Sequence, residues 1–121
     1  MTLSTRYSGP VAIVRFEGRL ALGPALFGIK PQVENALTSR SSTGLVLDLG
    51  GVSGIDSAGL GELVAVYSAA TRRGVRVAVS GANASILEAL AITRLDGIFP
   101  LCADEESALQ SLAQPKVPDK T

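Results

Sequence analysis

Apolar positions change period several times along the chain, and each change marks an element. Leu45-Val46-Leu47, ending at Asp48-Leu49, is a short apolar run without alternation. It is too short for a helix, so it reads as a strand buried on both faces, central in a largely parallel sheet. Further on, Leu60, Leu63, Val64 and Tyr67 recur at helical spacing. Ala70 extends that stripe, which belongs to the core, and Gly74 ends the helix. Val75, Val77 and Val79 then alternate with Arg76, Ala78 and Ser80, the pattern of a strand. Residues 45–80 therefore predict a β-α-β unit.

The flanks complete the domain. Strand patterns lie over Leu3 to Tyr7 and Val11 to Phe16, broken by Gly9-Pro10, and predict a hairpin or two adjacent strands. Gly18 to Gly23 reads as a turn. Leu26, Ile29, Val33, Ala36 and Leu37 recur at helical spacing after Pro24, which suits a first helical position. Pro31 interrupts them, predicting either a kink or a helix that starts near it. Gly50 to Asp56 reads as a loop. Ser85 and Glu88 have capping-box spacing ahead of Leu90 and Ala91. Ile98-Phe99 is a short strand candidate, and Asp104 can cap a last helix with Ala108, Leu109 and Leu112 inward. Residues 1–113 form one α/β domain with a mixed sheet, and residues 114–121, with two prolines and three charges, read as a frayed tail.

Composition narrows the functions open to this domain. Hydrophobic residues make up 46% of the 121, but aromatics only 4%, so Leu, Val, Ile and Ala must build the core. Eleven basic residues balance eleven acidic ones, and the basic residues are scattered, which argues against nucleic acid or a membrane surface as partner. With one cysteine, Cys102, and no histidine, an intramolecular disulfide, a Cys/His metal site and a histidine-based triad are excluded by count. Cys102 reads as a small apolar residue. No stretch at the N-terminus reads as a signal peptide, and no run approaches the ~20 apolar residues of a membrane helix. The expectation is a cytoplasmic protein that is not an enzyme and needs no cofactor or metal.

"GVSGIDSAGLGEL", Gly51 to Leu63, carries the candidate chemistry. In open α/β sheets, sites gather outside the carboxyl ends of strands. Asp56 and Ser57 fall there, at the start of the central helix and beside its free N–H groups. Capping alone accounts for this pair. Gly59 and Gly61 add something, because each glycine in a helix costs up to ~1 kcal/mol relative to alanine. Either this turn packs tightly against the sheet or a neighbouring helix, or a partner approaches its backbone closely. Ser57 has no histidine or nearby lysine as base, and "GIDSAG" is neither a nucleophile elbow nor a phosphate-binding P-loop. As acceptor of a phosphoryl group it needs only exposure and room. The interface candidates are Asp56, Ser57, Ala58, Gly59, Gly61 and Glu62, with the Leu20 to Gly23 turn as their neighbour on the fold described next.

"LVLDLGGVSGIDSAGLGELV" resembles the core signature of STAS domains, in particular bacterial anti-sigma factor antagonists. The resemblance extends from "VAIVRFEGRL" to "VRVAVSGANASILEALAITRLDGIFPLCADEESAL". It implies a STAS-like mixed sheet with helices packed mainly on one side. It also implies binding to an anti-sigma factor that is a serine kinase, phosphorylation at Ser57 that breaks the complex, and a phosphatase that restores it. Two departures stand out. Arg19 and Ala21 occupy positions where acids are common, which removes negative charge from the expected docking face. Ala58 replaces a common Ser or Thr, leaving Ser57 as the one hydroxyl of the motif. Two other readings remain open: a STAS scaffold or small transporter subunit without a phosphorylation cycle, and a nucleotide-binding domain with a phosphate at the helix start.

Overall fold

Gly9, at φ +56°, and Pro10 turn the chain between β1 (Thr2–Ser8) and β2 (Val11–Leu20). The two strands pair antiparallel from Thr2↔Glu17 to Ser8↔Val11, which is the expected hairpin. The computed structural model describes residues 1–113, so the expected tail lies outside the described residues. β2 runs on to Leu20, through the start of the predicted turn. Ala12, Val14, Phe16 and Leu20 share the core face, with Gly18 at the one alternate position that has no side chain to show.

After a short 3₁₀ turn (Leu26–Gly28), α1 spans Ile29–Ser39. Pro31 therefore sits in its first turn, where a missing N–H costs nothing, and Pro24 opens a turn instead of a helix. β3 (Gly44–Ile55) is longer than expected, and the loop predicted from Gly50 onward is strand almost to its end. Two irregularities against β2 hid it. Leu49 and Gly50 face Phe16 alone, and Ser53 lies between Val52 and Gly54, which pair with the consecutive residues Gly18 and Arg19. The glycine at 51 follows from packing, since a Cβ there would meet Phe16 O and Glu17 Cγ at 2.8 Å.

α2 (Ser57–Arg72) and β4 (Arg76–Ser80) complete the β-α-β unit, with Gly74 at φ +77° behind the helix. α3 (Ala84–Ile92), β5 (Leu101–Cys102) and α4 (Glu105–Ala113) follow. Asn83 caps α3, accepting from Ile86 N at 2.9 Å, so the predicted Ser85–Glu88 box is not the cap. Ile98 and Phe99 are not a strand. Phe99 is buried and meets Tyr67 edge-on, with ring centroids 5.3 Å apart, while the strand begins after Pro100. Asp104 caps α4 as predicted, accepting from Ser107 N at 2.8 Å.

The five strands lie in the order β1-β2-β3-β4-β5, with every pair but the first parallel. β3 is central and buried on both faces: Leu45 and Leu47 face the main core with α1, α2 and α3, and Val46 faces a smaller cluster with Ala108 of α4. Three helices thus cover one side and one covers the other. On α2, Leu60 and Leu63 are buried as predicted, and Val66 joins them in the core, while Val64 and Tyr67 flank it. Among the described residues no helix is long and apolar enough to cross a membrane.

Candidate functional site

β3 passes into α2 with only Asp56 between them, so the start of the helix is fixed to the sheet. Leu20↔Ile55 is the last β2–β3 pair, and Asp56 N donates to Leu20 O at 3.3 Å. The Asp56 carboxylate is then committed on both oxygens. Oδ1 accepts from Gly59 N at 2.8 Å, which caps α2, and Oδ2 accepts from Leu22 N at 3.0 Å. The second bond ties the β2–α1 turn to the helix start, an adjacency that the family resemblance implied and the residues alone did not.

Those contacts hold the Asp56 carboxyl below the usual carboxylate range: first the Gly59 N–H, then the Leu22 N–H, with the Arg19 charge adding to them. Because the folded-state value lies below the unfolded one, the stabilisation is present above the unfolded pKa of about 4. It is lost as pH falls through the folded value. Asp56→Asn keeps one acceptor but sets an amide donor against one of the two N–H groups. The variant is therefore expected to be less stable than wild type at pH 7, with the gap narrowing as pH falls below about 4. Urea titrations of both proteins across that range check this, and a gap independent of pH would refute it.

Ser57 follows as the first residue of α2. It is exposed, and its hydroxyl makes no hydrogen bond within the described residues. Ala58 is half-buried against the core. Gly59, predicted as part of the interface, is buried and corrects that expectation. A Cβ on it would lie 2.0 Å from Leu20 O and 2.8 Å from Leu20 C, so its missing side chain serves the contact with β2. Gly61 differs: it is exposed, and a Cβ there would meet nothing within 4 Å. Glu62 is half-buried beside it. The accessible site is thus Ser57 and Gly61 with the partly exposed Asp56, Ala58 and Glu62.

Two apolar side chains escaped the sequence reading. Leu22, in the turn bound to Asp56, is 70% exposed, and Phe27, in the 3₁₀ turn that follows, is 72% exposed. The signal for Phe27 was available: it falls off the Leu26–Ile29–Val33 stripe in a chain short of aromatics. Asp48 lies outside this site. It is buried within β3, paired to Arg15 Nη1 at 3.0 Å, and accepts from Gly50 N at 2.9 Å, which supports the irregular part of the strand. With both Asp56 oxygens engaged by backbone N–H groups, Ser57 has no local general base.

Known proteins resemble this chain in sequence and in fold. The sequence pattern of the STAS domain matches residues 3–108. An anti-sigma F factor antagonist from Paenibacillus polymyxa is 29% identical over 102 residues, covering 84% of this chain and 86% of that one. Among solved structures, a Thermotoga maritima protein provisionally named an anti-sigma factor antagonist superposes with a TM-score of 0.83 at 20% identity, over 93% of this chain and 95% of its own. An anti-sigma factor antagonist from Mycobacterium paratuberculosis gives 0.78 at 22% identity, over 93% and 94%. At such identities the structures establish the fold.

Proposed function

The chain belongs to the STAS domain family, and on that premise we propose that it is an anti-sigma factor antagonist, switched by phosphorylation of Ser57. In this reading the surface around the α2 N-terminus binds an anti-sigma factor that is also a serine kinase, in the cytoplasm, and so frees a sigma factor. The kinase moves the γ-phosphoryl group of ATP onto Ser57 Oγ, releasing ADP and the hydroxyl proton. The modified domain lets go, and a serine phosphatase hydrolyses the phosphoester to restore it.

One observation carries the reading. Ser57 presents an exposed, unbonded hydroxyl on a helix start that Asp56 anchors to two other segments. A rigid frame with one free hydroxyl suits docking into a kinase cleft, because little order has to be imposed on binding. A phosphate there does not unfold its own helix, since the N-terminal dipole favours negative charge. Its effect falls on the partner.

Incubation with ATP and the anti-sigma factor kinase, followed by phosphopeptide mass spectrometry, tests this. A single phosphate on Ser57 is the expected product. Modification at another residue, or none, defeats the proposal.

A further inference from the structure

The connection between β2 and α1 is apolar where a surface turn is usually polar. Leu20 to Ile29, between Arg19 and Lys30, is ten residues without a charge. Leu20, Leu26 and Ile29 enter the core, while Leu22 and Phe27 stay 70% and 72% exposed, with Pro24 and Ala25 exposed between them. Backbone bonds fix this division. Leu22 N donates to Asp56 Oδ2 at 3.0 Å, Leu26 N to Gly23 O at 3.1 Å and Gly28 N to Ala25 O at 3.2 Å. Leu22 is thus held outward by a bond to the residue that precedes Ser57. Phe27 lies at the same end of the domain. β2, β3 and β4 are parallel, so α1 and α2 both enter from the carboxyl ends of their strands and run the same way, packed against each other. The second side of the site is also poor in charge: from Leu49 to Gly61 the only charged residue is Asp56, whose oxygens are both engaged by backbone N–H groups.

We propose that Leu22 and Phe27 are apolar anchors for the anti-sigma factor kinase, and that burial of apolar surface, not charge pairing, holds the contact. This rests on the reading of the Ser57 face as the docking face. A kinase whose cleft reaches Ser57 Oγ must pass over the turn bonded to Asp56, so its surface covers Leu22. The complementary partner surface is apolar, because this face has little charge to pair. An exposed apolar patch set beside a modified residue marks such a contact, and an aromatic side chain supplies much of the buried area at an interface core. The bonded turn is already ordered, so little freedom is lost on docking.

The test titrates full-length, unphosphorylated protein into the kinase without ATP, by calorimetry. Leu22→Ser and Phe27→Ser are each expected to weaken binding about 10- to 100-fold, the loss that follows from leaving one such side chain out of a buried contact. Both positions are exposed, and the Leu22 N–H is retained, so both variants should melt as wild type does. Ile92, 74% exposed at the far end of α3, is the control, and Ile92→Ser should bind as wild type does. Raising salt from about 0.1 M to about 0.5 M should change wild-type affinity less than about threefold, since screening acts on charge pairs. Wild-type affinity in either anchor variant would overturn the pair, and a tenfold loss in salt would overturn the apolar contact. Light scattering at the same concentrations decides the occupant: a dimer of wild type that both anchor variants dissolve would give the patch to a second copy and overturn the proposal. Each of these results leaves phosphorylation of Ser57, and with it the antagonist reading, standing. A kinase that neither binds wild type nor modifies Ser57 ends both.

Discussion

Gly59→Ala is expected to destabilise the domain by roughly 2 kcal/mol, whereas Gly61→Ala on the same helix stabilises it by up to ~1 kcal/mol. The opposite signs come from what each position faces. At Gly59 the added methyl would sit 2.0 Å from Leu20 O, a backbone atom in a fully buried residue that cannot swing aside. That carbonyl also receives the Asp56 N–H at 3.3 Å, so pushing it away loosens the join between β2 and α2. Overpacking of this kind costs about 1–3 kcal/mol or more, and relief of the glycine helix penalty returns at most about 1. At Gly61 nothing lies within 4 Å, so the propensity gain is all that remains. Urea denaturation of the two single variants measures both signs. A Gly59→Ala protein as stable as wild type would mean that α2 can slide off β2 without penalty.

This pair also marks where the sequence stopped being legible. Two glycines in one helical turn signalled close approach, and the sequence allowed sheet packing or a docking partner as the cause. The structure divides them: Gly59 packs on Leu20, and Gly61 opens to solvent. Which of the two faces β2 depends on how α2 docks on the sheet, a tertiary choice that the sequence does not state. β3 looked like a five-residue strand and a loop, because its second half is glycine-rich and irregular against β2. Elements set by local chemistry came through well: the caps at Asp56 and Asp104, the end of α2 at Gly74, and the two-sided burial of Leu45 to Leu47. Elements decided by tertiary choice did not. Asn83 and Ser85 are both good caps, and Ile98-Phe99 and Leu101-Cys102 are equally plausible short strands. The selection was made by Asn83 Nδ2 donating to Val52 O at 3.1 Å and by Phe99 packing on Tyr67. The bond from Leu22 N to Asp56 was likewise beyond sequence reasoning, since it joins segments 34 residues apart.

Ser57→Asp is expected to weaken binding to the anti-sigma factor kinase by about 30- to 5,000-fold, while Ser57→Ala stays within a few-fold of wild type. The range follows from leaving a charge buried and unpaired in an interface, which costs about 2–5 kcal/mol. The fold is spared. An acid in the first turn of a helix is stabilising by about 0.3–1 kcal/mol, so the Asp variant should melt no lower than wild type. That separates loss of docking from loss of structure, provided calorimetric binding and thermal melting are measured on the same samples. The Gly59 and Leu22 N–H groups are already taken by Asp56 and are not open to the new carboxylate. In the complex it adds its charge to that of Asp56 at the contact. A Ser57→Asp protein that binds the kinase as tightly as wild type would remove the switch. The domain would then be a module that assembles complexes through the same face without a phosphorylation cycle.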